Sequence, residues 1–213
     1  MKDLKRRIKS LDKNIFFILS TARCRSSWFG NFFTYKDSFC YKEELRYVSN
    51  WDQLIDRIEK RPEKNVGFSD PELLHYIKTL HNLFPKSKYV LLDRNVNDAK
   101  VSLALITRAI SNKEEWYRSD KLDYKFKRWL EDIKKFKKIV KDYEYIHWND
   151  MNKCDSIKKI WNYILPDSEF DVGRWELLSS LVITETLADI PYKMNRKTCM
   201  APFFNFDKLD LAR

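Results

Sequence analysis

Glycine is scarce, with three in 213 residues, and neither a low-complexity linker nor an internal repeat interrupts the chain. No domain boundary is therefore evident. The expectation is one domain over residues 1–213, with residues 190–213 as a lid or docked tail. Long apolar runs are also missing: the first, at residues 15–19, follows "MKDLKRRIKSLDKN" without a cleavable hydrophobic region, and no run approaches the roughly 20 residues that span a bilayer. A soluble, cytoplasmic protein is expected. Cys24, Cys40, Cys154 and Cys199 lack CxxC or finger spacing, and His81 and His147 lack metal-ligand spacing, which argues against a zinc site and a disulfide framework. Buried free thiols and no metal are expected. There is no GxxxxGK[ST], so the sequence gives no ground for the ordinary ATP-cradling loop with its magnesium-binding hydroxyl.

What is present is a globular composition, 44% hydrophobic and 15% aromatic. Forty-one Lys and Arg against thirty-one Asp and Glu leave a formal charge of +10, which favours an anionic partner: nucleic acid, a phosphorylated small molecule or an acidic surface. The basic run at residues 121–141 reads as a solvated helix face with Phe126, Trp129, Leu130, Ile133 and Phe136 turned inward, ahead of a nucleic-acid groove.

Apolar runs at Asn14–Ser20, 65–68, Lys88–Asp93 and 143–148 read as buried parallel strands. Between them, "PELLHYIKTLHNLF" puts Leu73, Leu74, Ile77, Leu80, Leu83 and Phe84 on one helical stripe, with Pro71 at a first helical position. Helical spacing recurs in "NDAKVSLALITRAI", "KFKRWLEDIKKFKKIVKDY", "DSIKKIWNYIL" and "RWELLSSLVIT". Alternating strands and helices predict an α/β fold whose central, mostly parallel sheet is flanked by helices.

The first strand ends in "STARCRSSWFGNFF", with Arg23, Arg25, Ser26 and Ser27 in the turn. A strand running into a polar turn and a helix offers unpaired N–H groups, and arginine adds forked donors for oxyanions. A capped helix with arginines in solvent is the equal alternative for this stretch alone. "KYVLLDRNVNDAKVSLAL" repeats the arrangement: Arg94 follows a strand and Ser102 comes eight residues later. Two such turns at neighbouring strand ends suggest a ligand with two separated phosphates.

These residues resemble the sulfotransferases that use 3'-phosphoadenosine 5'-phosphosulfate and have a P-loop NTPase-like architecture. "RCRSSW" at residues 23–28 is similar to their K/R-S-G-T/S-T/S-W motif, and "RNVNDAKVS" at residues 94–102 to R-D-P-R-D-x-x-x-S. "LFPKSKYVLLDR" and "YEYIHWNDMNKCDSIKKIWNYIL" resemble further family segments, so ordered similarity covers residues 14–174. The resemblance implies that Arg23, Cys24, Arg25, Ser26 and Ser27 form the 5'-phosphosulfate loop, that Arg94 and Ser102 hold the 3'-phosphate, and that Trp28 and Trp148 lie near the adenine. Packing in the core is the plain alternative for Trp148. Cys24 stands where the family has serine and Arg25 where it has glycine, which at position 25 implies an αR or extended backbone. Arg196-Lys197 matches a late basic cluster, but Thr198 replaces its glycine.

The implied reaction is sulfuryl transfer to an unidentified hydroxyl or amine acceptor, giving adenosine 3',5'-bisphosphate, with Arg23 stabilising the departing oxygen. The family's base follows the strand at residues 65–68, which makes Asp70 the first candidate, ahead of Glu72 and His75; Ser69-Asp70-Pro71 is equally a helix cap. His75 reads as a packed core histidine. A P-loop-type kinase acting on a nucleotide or small molecule and a non-catalytic nucleic-acid-binding module are the competing readings.

Overall fold

A computed structural model describes residues 2–110 and 119–180. Their elements run α1 (Lys2–Ser10), β1 (Asn14–Ser20), α2 (Ser26–Phe32), β2 (Ser38–Lys42), α3 (Trp51–Lys60), β3 (Asn65–Ser69), a 3-10 helix (Pro71–Tyr76), α4 (Ile77–Leu83), β4 (Lys88–Asp93), α5 (Val96–Ile110), α6 (Ser119–Ile139), β5 (Glu144–His147), α7 (Cys154–Ile164) and α8 (Val172–Ser180). The five strands form one sheet in the order β2-β3-β1-β4-β5, with every pairing parallel.

Central strands of such a sheet are buried on both faces, which is why β1 and β4 are continuous apolar runs. Ile15, Phe17 and Leu19 of β1 meet Tyr89 and Leu91 of β4 on one face, packed by α3, the 3-10 helix, α4 and α6. Phe16 and Ile18 meet Val90 and Leu92 on the other, packed by α2, α7 and α8. The chain thus leaves β1 on one face and β4 on the opposite face. A crevice opens between their carboxyl ends, where α/β sheets bind ligands.

The α/β expectation holds, with local differences. Strand β2 and helices α1 and α3 are additions to the sequence reading; β2 is a short strand that, among the described residues, pairs with β3 alone and forms an edge of the sheet. Residues 71–84 are not one α-helix. Asp70 accepts from Glu72 N at 2.9 Å and Leu73 N bonds back to Asp70 O, so the first turns wind as a 3-10 helix before α4. Leu130 does not point inward: it is 37% exposed, and Leu122 joins Phe126, Trp129, Ile133 and Phe136 in the buried row. The buried row alternates steps of four and three from Leu122 through Phe126 and Trp129 to Ile133, which leaves Leu130 at the border of the stripe. No helix among the described residues is long and apolar enough to cross a membrane. The tail at 190–213, with Arg196, Lys197, Thr198 and Cys199, lies outside the described residues.

Gly67 lies opposite Phe16 in the register, and a Cβ there would come within 2.0 Å of the Phe16 ring. Gly67→Ala is expected to destabilise the protein by about 1–3 kcal/mol through overpacking, read from the urea midpoint. On the other side of the core, His75 joins the 3-10 helix to α6 by bonding Asp132 and pairing with Glu72 at 3.3 Å. Burial alone would lower the His75 pKa, but its bonds to Glu72 and Asp132 outweigh that and raise it. Asp132 is shifted up by burial and held below the usual carboxylate range by Lys135 and His75. The His75 contribution is therefore complete below its unfolded value of about 6.5 and fades as pH rises through the raised folded value. The Asp132 contribution fades instead as pH falls through its lowered value. A His75→Gln variant should lose the alkaline part of this dependence, which urea midpoints measured from pH 5 to 8 will show.

Candidate anion-binding site at the carboxyl ends of β1 and β4

The turn after β1 is built on two left-handed residues. Arg23 has φ 65° and Arg25 φ 60°, while Cys24 between them keeps a negative φ. This overturns the αR or extended backbone expected at Arg25: arginine occupies the conformation that glycine adopts more easily, at a cost of about 1–2 kcal/mol per residue. Alternating hands turn successive N–H groups toward one concavity, a geometry suited to an anion.

Side chains hold the turn in place. Ser69 Oγ donates to Ser26 O at 2.6 Å, and Trp28 Nε1 donates to Leu178 O at 3.0 Å. At the far end of α2, Arg174 donates from Nε to Phe32 O at 3.1 Å and from Nη2 to Asn31 O and to Thr34 O, satisfying carbonyls that a helix end leaves open. Its guanidinium lies 5.0 Å from the Tyr35 ring centre, and Tyr35 Oη donates to Asp171 at 2.7 Å.

At the crevice the structure brings Arg23, Arg25, Arg94, Ser102 and Trp148 together. Arg94 Nη1 donates to Arg23 O at 2.8 Å, and its guanidinium lies 3.9 Å from the Trp148 ring centre. Arg23 Nε donates to Ser102 Oγ at 3.1 Å. Arg25 lies 4.9 Å from the same Trp148 ring and donates to Asn152 Oδ1 at 2.6 Å. Among the described residues, none of these arginines forms an ion pair with a carboxylate, and Arg94 Nε is buried without a hydrogen-bond partner. Burial, and then the charge of Arg94, hold Arg23 and Arg25 below the usual arginine range; Glu43 offsets part of this at Arg23. Positive charge is thus concentrated where little protein charge neutralises it, an environment that an anion relieves.

Other expected residues are placed differently. Cys24 is buried against Thr21, with its thiol pushed up to about 11 by burial, so its backbone N–H is what it can offer a ligand. Trp28 is buried beneath α8, with its indole N–H on Leu178 O and its ring stacked on Phe32. Ser26 is buried and Ser27 half-buried at the start of α2. Asp70 lies at the end of β3, 1% exposed, with one carboxylate oxygen accepting from Glu72 N and the other from Leu45 N, each at 2.9 Å. Asn152 and Arg174 escaped the sequence reading. Asn152 sits in a turn four residues past Trp148 with no pattern of its own, and Arg174 reads as an ordinary helix residue.

The architecture is that of solved sulfotransferases. A sulfotransferase from Alicyclobacillus acidocaldarius superposes with a TM-score of 0.55 at 13% identity, over 88% of this chain and 98% of that one. Mouse sulfotransferase SULT7A1, complexed with PAP, superposes with a TM-score of 0.54 at 15% identity, over 91% of this chain and 72% of that one. No protein-family model and no curated protein matches the sequence. What the chain shares with these two proteins at such identities is the P-loop-like α/β fold.

Proposed function

We propose that this chain is a sulfotransferase, a single domain that moves a sulfuryl group from 3'-phosphoadenosine 5'-phosphosulfate to a hydroxyl or amine acceptor. The observation that carries the reading is the meeting of Arg23, Arg25 and Arg94 around Ser102 and Trp148, without carboxylate partners among the described residues. The unpartnered Arg94 Nε fits a phosphate oxygen. The shared fold, and PAP in the mouse neighbour, point to the same class of ligand.

In this reading Arg23, the N–H groups from Cys24 onward, Arg25, Ser26 and Ser27 hold the 5' end, while Arg94 and Ser102 hold the 3'-phosphate. The donor supplies an activated sulfuryl group whose departure leaves negative charge on the bridging oxygen. Arg23 contributes fixed positive charge for that oxygen, preorganised by its bond to Ser102 and by the left-handed turn. Arginine stays protonated, so its role is charge and hydrogen bonding. For Asp70, whose two oxygens are both taken by backbone N–H groups, the geometry favours capping over proton abstraction.

Calorimetry with adenosine 3',5'-bisphosphate, set against ATP with magnesium, tests the donor class. Metal-independent bisphosphate binding is expected, and selective binding of magnesium-ATP would sink the reading. Arg94→Ala should weaken the bisphosphate by about tenfold to a hundredfold, the loss of one or two charge-assisted hydrogen bonds; Arg23→Ala should abolish turnover. Asp70→Asn keeps one accepting oxygen and turns an amide donor toward the other N–H, so a stability loss of about 1–3 kcal/mol is expected. Turnover per folded molecule should be retained, whereas a fall of about a hundredfold or more would make Asp70 the base.

A further inference from the structure

Asn152 carries no charge, yet it holds one of the three arginines of the crevice. Arg25 Nη1 donates to Asn152 Oδ1 at 2.6 Å, with the guanidinium 4.9 Å from the Trp148 ring centre. Strand β4 lies between β1 and β5, so this bond runs from the turn after β1 to the turn after β5. It crosses the carboxyl end of β4, where Arg94 lies 3.9 Å from the centre of the same ring. Asn152 is exposed, but the turn that carries it is fixed on both sides. Met151, 0% exposed, precedes it and donates from its N–H to Trp148 O at 3.2 Å. Lys153 N donates to Asp150 O at 3.0 Å, and Ile157 N to Lys153 O at 3.2 Å where α7 begins. A short side chain on such a turn loses little freedom in meeting Arg25, whereas the long arginine chain loses much.

That the acceptor is an amide and not a carboxylate has an electrostatic consequence. Burial and the charge of Arg94 both disfavour the Arg25 cation. Aspartate at position 152 would relieve both by ion pairing, and would cancel the charge in doing so. The nearby acids leave that charge alone: Asp150 pairs with Lys153 at 2.7 Å, and Asp93 accepts from Arg94 N and Tyr145 Oη. Arg25 is thus oriented with its charge uncancelled. One N–H is engaged by Asn152, and the rest of the guanidinium fork suits an oxyanion.

We propose that Asn152 is a positioning residue for the donor: it holds the Arg25 guanidinium at Trp148 before the ligand arrives, so that the 5' end of the nucleotide meets a fixed cation that no acid neutralises. The assignment rests on the sulfotransferase reading above. Arg25 and Asn152 act as a pair, in which an arginine whose left-handed backbone is unfavourable by itself is set by a contact from another strand end.

The test is calorimetry of adenosine 3',5'-bisphosphate and adenosine 3'-monophosphate on the wild type and on variants at position 152. Asn152→Ala should weaken the bisphosphate by roughly three- to tenfold, the effect of ordering one long side chain at binding. Its affinity for the 3'-monophosphate should stay within about twofold of the wild type. Asn152→Gln keeps a neutral acceptor and should recover most of the loss. Asn152→Asp separates positioning from a plain structural role, because it keeps the size and the hydrogen bond. Its Tm should hold or rise, while the bisphosphate weakens by about tenfold or more as the carboxylate takes the cation. On an Arg25→Ala background, Asn152→Ala should cost no further affinity. Full bisphosphate affinity in Asn152→Asp, additive losses in the double variant, tighter binding by Asn152→Ala, or equal weakening of the 3'-monophosphate would each overturn the proposal. Wild-type protein that binds bisphosphate no better than its position-152 variants do refutes the positioning role alone. Wild-type protein that binds no bisphosphate refutes the donor reading, and the positioning role falls with it.

Discussion

The Arg94 guanidinium organises the carboxyl edge of the sheet. With one donor in the carbonyl of Arg23 and its face on Trp148, it ties the turn after β4 to those after β1 and β5. Asp93 extends the same junction, accepting from Arg94 N at 2.9 Å and from Tyr145 Oη at 2.7 Å. Without this cross-link, the turn bearing Arg23 and Arg25 would lose its tie to β4 and keep only its bonds to Ser69, Ser102 and Asn152.

That backbone is a local conflict that the surroundings resolve. Two non-glycine residues in left-handed conformations persist only where neighbouring structure over-determines them. The neighbours here are β1 inside the sheet, α2 clamped at one end by Ser69 and at the other by Arg174, and Trp148 beneath two guanidinium groups. Crowded arginines and a strained turn both raise the energy of the ligand-free state, and both are arranged toward the same concavity. Strain gathered at one turn in this way is characteristic of a binding site.

Much of this was legible in the sequence. Central parallel strands must be apolar on both sides, so β1 and β4 were readable to their ends. The eight-residue interval from Arg94 to Ser102 put both beside Arg23 because a strand, a turn and the first helical turns have nearly fixed dimensions. Strand β2 was harder: it is five residues long, half-buried and at an edge, where a pleated stretch has little pattern to declare it. The 3-10 start at Pro71 could not be told from an α-helix, because the buried side chains Leu73, Leu74 and Ile77 satisfy either period. The left-handed Arg25 was beyond reach for a related reason. Residue type carries a preference for a conformation, and tertiary contacts such as the bond to Asn152 overrule it.

Cys24 occupies the middle of the anion-binding turn, yet its sulfur faces the core, sealed by Thr21 and raised to about 11 by burial. Alkylating reagents and peroxides act on accessible thiolates. The turn therefore carries cysteine without carrying a redox sensor: oxidising surroundings would leave the arginine cluster intact and would mark the half-exposed Cys154 first among the described cysteines.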